Sequence, residues 1–177
     1  AEQWQDNNII SYNYYTNNTY ARNAEGYLGY KYVSEGTRND IRTAKVSYDK
    51  TNLYFYVETV QDLSPYTDPD WMRLLLDTQK ATEKSKDWEE FEYMLNRENP
   101  SADYMTLERS TGDWNWQEVG KVSYTVSKNV LQVKIPRKML GLEKEVTFNF
   151  KWCDNNLRDG DIMELYKGKY FEVVFED

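Results

Sequence analysis

Side chains alternate between two faces in the segment from Leu53 to Val60. One face carries Leu53, Phe55, Val57 and Thr59, and the other carries Tyr54, Tyr56 and Glu58. A period of two is typical of a β-strand that buries one face and leaves the other amphipathic or wet. Asp49-Lys50-Thr51-Asn52 supplies the turn residues that join this strand to a preceding one at Ala44–Asp49.

Similar patterns, bounded by turn residues, predict strands along the rest of the chain. They cover Trp71–Asp77, Phe91–Asn96, Tyr104–Arg109, Lys121–Ser127, Val130–Pro136, Glu145–Trp152 and Tyr170–Phe175. Helix is a rival for 87–97, because Trp88, Phe91 and Met94 also lie at helical spacing. Strand is preferred there, since the neighbouring segments alternate and Asn99-Pro100 closes the run. Residues 136–141, from a proline to a glycine, predict a single helical turn.

The pattern as a whole predicts an all-β fold. About eight to ten short strands, with no βαβ alternation, are typical of an antiparallel β-sandwich, here jelly-roll-like with short helical turns. The polar, Asn- and Tyr-rich segment 1–42 is expected to form short strands or loops against the main sheets. A length of 177 residues predicts one domain over 1–177. We expect it to be one module of a larger or processed protein.

Composition and net charge exclude several classes of partner and of catalytic site. The formal net charge of −8 argues against nucleic acid or an anionic membrane as partner, and no run approaches the roughly 18 apolar residues of a membrane span. The chain contains no histidine, which excludes Ser–His and Cys–His catalysis, His-ligated zinc and His-ligated haem. The single cysteine, Cys153, lies after an apolar run and is expected to be buried and inert.

Four stretches resemble the family nine carbohydrate-binding modules and the related DOMON-like β-sandwiches. They are AKVSYDKTNLYFYVETVQD (44–62), the loop ending in DPDWM with the strand Trp71–Asp77, GKVSYTVSKNVLQVKIPRKMLGL (120–142) and VTFNFKWCDNN (146–156). The resemblance implies a non-catalytic module that binds a polysaccharide or oligosaccharide, with structural calcium in many members. It also implies attachment to a catalytic domain, such as a glycoside hydrolase, in a secreted, periplasmic or cell-surface bacterial protein.

The resemblance also suggests site residues. The family holds a sugar ring between two tryptophans, and Trp71 stands where the first is expected. The second is missing, because 163–175 contains tyrosines and phenylalanines but no tryptophan. Arg73 stands near the position of a sugar-binding glutamate, Glu92 near that of an arginine, and Lys151 near that of a polar amide. The resemblance therefore implies either an altered polar set or a site that has been lost.

Aromatic side chains are the ligand-binding candidates that the residues themselves suggest, because a flat ring packs against the C–H face of a sugar. Trp71 and Tyr66 are borne by a loop, and Trp114 and Trp116 follow a Gly-Asp turn. Core packing is the alternative for Trp71 and for one of the other two tryptophans. Trp4 and Trp88 are weaker candidates, and Trp152 is expected in the core.

Acidic residues suggest a calcium site. Asp154, Asp159 and Asp161 lie close together beside Gly160, and calcium needs several oxygen ligands at one point. An ordinary polar loop explains the same residues and is preferred, and Asp49 is a second candidate. No catalytic pair can be chosen among 30 acidic residues. The functional hypotheses are a carbohydrate-binding module, a structural or interaction β-sandwich that has lost sugar binding and, last, a glycosidase.

Overall fold

A computed structural model describes residues 38–85 and 91–154, together with four short strands outside these ranges. The strands are β1 (Ile10–Asn13), β2 (Ala24–Glu25), β3 (Lys31–Tyr32), β4 (Ile41–Tyr48), β5 (Asn52–Thr59), β6 (Arg73–Asp77), β7 (Tyr93–Leu95), β8 (Tyr104–Gly112), β9 (Asn115–Ser127), β10 (Val130–Pro136), β11 (Val146–Cys153) and β12 (Phe171–Phe175). Within the described residues, two short 3₁₀ helices span Glu83–Ser85 and Arg137–Met139.

Ten of the strands form one continuous sheet. Their order is β1-β4-β5-β10-β9-β8-β7-β6-β11-β12, and each neighbouring pair is antiparallel. β2 and β3 form a separate two-stranded sheet. The prediction of an all-β, antiparallel fold is confirmed. Strand rather than helix is confirmed at β7, and Arg137–Met139 provides the predicted helical turn.

The sheet curls around its apolar face. Phe55 on β5 lies 5.7 Å from Phe148 and 6.0 Å from Phe150 on β11, measured between ring centroids, although five strands separate β5 from β11 in the sheet. Strands near the two ends of this one hydrogen-bonded sheet therefore face each other across the core. We call the side of the sheet that contacts this core its inner face and the opposite side its outer face.

Inner and outer positions follow the alternation of the sequence. Leu53, Phe55 and Val57 are fully buried, whereas Tyr54 and Tyr56 point outward and are half-buried. On β6, β7 and β11 the outer face is buried as well. A second hydrophobic cluster covers it there, formed by Leu75, Phe91, Met94 and Cys153 with Trp116 packed against it. The expectation of a buried cysteine is confirmed.

Candidate functional site

Trp71 lies in the core and presents no ring to solvent. Its exposed fraction is 1%, its Nε1–H donates a 2.9 Å hydrogen bond to the carbonyl of Ser64, and its ring centroid lies 6.3 Å from that of Tyr124. Asp70 and Met72 both have positive φ angles, of 53° and 37°. This backbone interrupts the alternation before β6, so Trp71 and Met72 both join the main core. The structure therefore places Trp71 in the core, which is the alternative that the sequence left open, and offers no exposed Trp71 ring for a sugar clamp.

Arg73 holds two loops together. It is buried on the outer face of β6, and its Nη2 donates hydrogen bonds of 2.6 Å to Asp70 Oδ1 and to the carbonyl of Arg97. These bonds fix the start of β6 against the segment that follows β7. The contacts give the Arg73 guanidinium a structural role, and it lies on the side of the sheet opposite to Trp71.

Glu92 and Lys151 lie on this buried part of the outer face. Glu92 Oε1 accepts hydrogen bonds from the backbone N–H of Thr78, at 3.2 Å, and from the Thr78 hydroxyl. Lys151 Nζ lies 5.9 Å from the centroid of Phe91. Glu92 is 1% exposed and Lys151 is 2% exposed. The structure therefore brings Arg73, Glu92 and Lys151 to one side of the sheet, but it buries them, so none of the three offers its polar group to a ligand at the surface.

The two tryptophans of the β8–β9 hairpin have different environments. Trp116 packs against the second hydrophobic cluster, whereas Trp114 is 67% exposed at the turn. Asp113 and Trp114 both have positive φ, 55° and 61°, as in a two-residue hairpin turn that favours Asn-Gly. Tyr66 is 37% exposed in the β5–β6 loop. Trp114 and Tyr66 thus remain available aromatic rings, but they lie in separate loops.

Asp154 links three parts of the chain. Its carboxylate accepts hydrogen bonds from Arg38 Nε at 2.6 Å and from the backbone N–H of Met72 at 3.0 Å, and its side chain is fully buried. Burial raises the pKa of Asp154, and the hydrogen bonds from Arg38 and Met72 oppose that rise. Asp159 and Asp161, like Trp4 and Trp88, lie outside the described residues. Within the described part of the chain, no group of three or more Asp, Glu or Cys side chains is placed to hold a metal ion.

The open part of the outer face lies on β4, β5, β10 and β9. The strand register places Ser47, Tyr54, Lys134 and Ser123 in one row across these strands, and Lys45, Tyr56, Gln132 and Thr125 in the next. We call these eight residues the tyrosine–lysine face. All eight are exposed or half-buried. Neighbouring strands are about 4.8 Å apart, so each row spans roughly 14 Å.

A shallow cavity of about 210 Å³ opens on the tyrosine–lysine face. It is lined by Tyr54, Ser123, Thr125, Gln132 and Lys134, with Tyr124 and Val133 also contributing. The lining therefore combines an aromatic ring, two hydroxyls, an amide and an ammonium group. A few convergent polar groups beside an apolar ring are typical of a site for a small polar ligand.

Neighbouring side chains hold the tyrosines of this region in place. Tyr54 donates a 2.7 Å hydrogen bond to Asp49 Oδ2, which raises the pKa of Tyr54. Lys45 Nζ lies 5.3 Å from the ring centroid of Tyr56. At the edge of the face, Lys121 Nζ lies 4.3 Å from the ring centroid of Tyr104 and 3.1 Å from its hydroxyl oxygen.

Sequence reasoning missed this face as a site, although the alternation had placed Tyr54 and Tyr56 on the wet side of their strand. The missing information was the order of the strands. β10 lies between β5 and β9, which brings Gln132 and Lys134 beside tyrosines that are distant in the sequence. Local patterns carry no signal for such a pairing.

Comparison of the chain with protein-family models, with curated proteins and with solved structures finds no match. The helices in the described part of the chain are too short and polar to cross a membrane.

Proposed function

We propose that this chain is a non-catalytic carbohydrate-binding module whose ligand lies on the tyrosine–lysine face. The observation that carries the proposal is the cavity lined by Tyr54, Ser123, Thr125, Gln132 and Lys134. Sugar hydroxyls both donate and accept hydrogen bonds, which matches hydroxyl and amide side chains. The apolar C–H face of a sugar ring matches the ring of Tyr54.

Binding at this face needs little reorganisation of the protein. The lining side chains project from paired strands rather than from free loops, so their backbones are fixed before the ligand arrives. The hydrogen bond from Tyr54 to Asp49 further limits the motion of the ring. This preorganisation supports recognition of a polymer that offers the same hydroxyl pattern repeatedly.

The carboxylates near the face favour binding over hydrolysis. Asp49 Oδ1 accepts bonds of 2.7 Å from the backbone N–H groups of Thr51 and Asn52, and Glu58 pairs with Arg42. Glycoside hydrolysis needs two carboxylates that flank the reacting bond. Both of these carboxylates are thus engaged by their own neighbours. The module would act by raising the local substrate concentration for a catalytic domain of a secreted, periplasmic or cell-surface protein.

Affinity electrophoresis against xylan, β-glucan and host glycans tests this proposal. We expect retardation by at least one glycan, and we expect Gln132→Ala together with Thr125→Ala to reduce it. Tyr66→Ala is the matched control, because Tyr66 is an exposed aromatic residue outside the tyrosine–lysine face. The proposal is wrong if no glycan retards the protein, or if the control variant loses as much binding as the double variant.

A second candidate function is a structural or interaction domain that has lost sugar binding. The burial of Trp71 favours it, because the expected clamp residue has been recruited to the core. The exposed ring of Trp114 is then the contact surface for another protein. This reading predicts no retardation on any glycan, and the same gels therefore separate the two functions.

A further inference from the structure

We infer that the ligand of the tyrosine–lysine face is an anionic polysaccharide, one that carries carboxylate or sulfate groups. This inference rests on the proposed carbohydrate binding and adds the chemical class of the glycan. It comes from the charges of the face, which differ in sign from those of the chain as a whole.

The chain has a formal net charge of −8, yet cations predominate on and beside this face. The described side chains there are four cations, Arg42, Lys45, Lys121 and Lys134, and three anions, Asp49, Glu58 and Glu118, the last of which acts electrostatically on Lys121. Glu58 pairs with Arg42, and Asp49 accepts hydrogen bonds from its own turn and from Tyr54. Three lysines are left, and none of them forms an ion pair with a described carboxylate.

The three lysines are spread across the sheet. Lys134 lines the cavity itself, between Tyr54 on β5 and Ser123 on β9. Lys45 is on β4, two strands away or roughly 10 Å, and Lys121 is on β9, two residues from Ser123. A line of separate ammonium groups fits a polymer with acid groups on successive sugars better than it fits a single small anion.

Aromatic rings hold two of these ammonium groups. Lys45 lies over Tyr56 and Lys121 over Tyr104, at the centroid distances given above. A ring beneath an ammonium group attracts it and restricts the flexible side chain, so less entropy is lost when an anion binds. The lysines are therefore positioned before the ligand arrives, as the hydroxyl and amide groups of the cavity are.

The expected binding is moderate and sensitive to salt. An exposed ion pair gives about a two- to fivefold gain in affinity, and three of them along one polymer give roughly 10- to 100-fold. Because the Debye length falls from about 10 Å at 0.1 M salt to about 3 Å at 1 M, most of this gain should be lost at high salt. Binding that used only hydroxyls and aromatic rings would change little with salt.

The test uses affinity electrophoresis of the full chain with four probes: polygalacturonate, its methyl ester, dextran and dextran sulfate. We expect polygalacturonate to retard the protein and its methyl ester to do so at least tenfold less. If carboxylate is the recognised group, dextran sulfate binds more weakly than polygalacturonate, and if charge alone is recognised, the two bind alike. Either result supports an anionic ligand, and equal retardation by polygalacturonate and its ester overturns it.

Lysine variants test whether binding of polygalacturonate takes place on the tyrosine–lysine face. Lys45→Gln, Lys121→Gln and Lys134→Gln combined should lose at least tenfold in affinity for polygalacturonate. The matched control replaces three exposed lysines elsewhere, Lys84→Gln, Lys138→Gln and Lys144→Gln, and changes the net charge equally. Equal losses in both triple variants overturn the assignment. Thermal unfolding of both variants, expected within about 2 °C of the parent, confirms that they fold.

The outcomes separate this inference from the proposed function. Binding of neutral xylan or β-glucan that depends on Gln132, with no preference for acidic polymers, retains the sugar-binding function and rejects the anionic ligand. Absence of binding to every probe rejects both. Salt-sensitive binding of acidic polymers that fails in the first triple variant supports both.

Discussion

Replacing Trp71 by alanine removes a large side chain from the core, and the structure predicts a severe loss of stability. The indole is 1% exposed, and it packs in the main core cluster beside Tyr124. Burial of this kind makes a Trp→Ala change cost about 3–5 kcal/mol in free energy of unfolding. The lost hydrogen bond to the Ser64 carbonyl adds about 1 kcal/mol, unless water reaches that oxygen.

Urea unfolding followed by tyrosine fluorescence or far-UV circular dichroism measures this loss. For a domain of this size, a change of about 4 kcal/mol lowers the melting temperature by roughly 10 °C. Trp114→Ala is the matched control, because it makes the same chemical change at a ring that is 67% exposed. We expect that variant to stay within about 0.5 kcal/mol of the parent, since the exposed ring buries little surface and alanine is, like tryptophan, an L-residue with the same cost at this positive φ.

A loss below about 1 kcal/mol for Trp71→Ala would refute the reasoning. The ring would then be solvent-exposed in solution, and its role in a sugar clamp would have to be considered again. Loss of glycan binding at unchanged stability would have the same meaning. A large loss of stability, with glycan binding retained by the fraction that still folds, supports the placement of the site on the tyrosine–lysine face.

Three further predictions follow from particular contacts. Trp114→Gly should raise the free energy of unfolding by about 1 kcal/mol in urea titration, because Trp114 has a φ of 61°, a conformation that costs an L-residue about 1–2 kcal/mol. Arg38→Ala should lower the free energy of unfolding by about 3–5 kcal/mol, because the buried Asp154 carboxylate loses its cationic partner. Arg42→Ala is the control at a more exposed ion pair, and it should lower the free energy of unfolding by less than about 1 kcal/mol. The third prediction concerns Asp49. Burial alone would raise the pKa of its carboxyl group. The hydrogen bonds from Tyr54, Thr51 and Asn52 outweigh burial and hold this pKa well below its usual 3.8. The stability that ionised Asp49 contributes is therefore fully present above pH 3.8 and falls as the pH drops below it, so Asp49→Asn should lower the melting temperature at pH 7 and differ less from the parent near pH 2.

The strands could be predicted from the sequence because alternation is a local signal. Leu53, Phe55 and Val57 fall on one face of the predicted strand, and the structure buries all three. Trp71 is a residue for which alternation predicts the wrong face of the sheet. Alternation placed it with Arg73, opposite Leu74, but the positive φ of Met72 shifts the backbone and turns Trp71 inward. Left-handed residues on either side of Trp71, at Asp70 and Met72, change the face of a side chain, and the hydrophobic pattern does not show this.

The candidate site was less predictable than the strands. Glu92 and Lys151 were expected among sugar-binding groups, yet Phe91, Met94 and Trp116 belong to a cluster that covers the same side of the sheet. A period of two says which residues share a face, but it does not say what covers that face. The tyrosine–lysine face could not be predicted either, because its polar groups come from strands that are far apart along the chain and meet only through the order of the strands in the sheet.

The position of β10 between β5 and β9 also has a kinetic consequence. The β4–β5 and β9–β10 hairpins are local and close quickly, whereas Asn129 and Glu58, which hydrogen-bond where β5 meets β10, are 71 residues apart. Closing a loop of that length costs about 4 kcal/mol in chain entropy before the contacts form, so this docking is expected to be the slow step of folding. Tyr54 and Gln132 meet only at that step. Glycan binding should therefore recover with the slowest refolding phase, after most of the strand signal has returned.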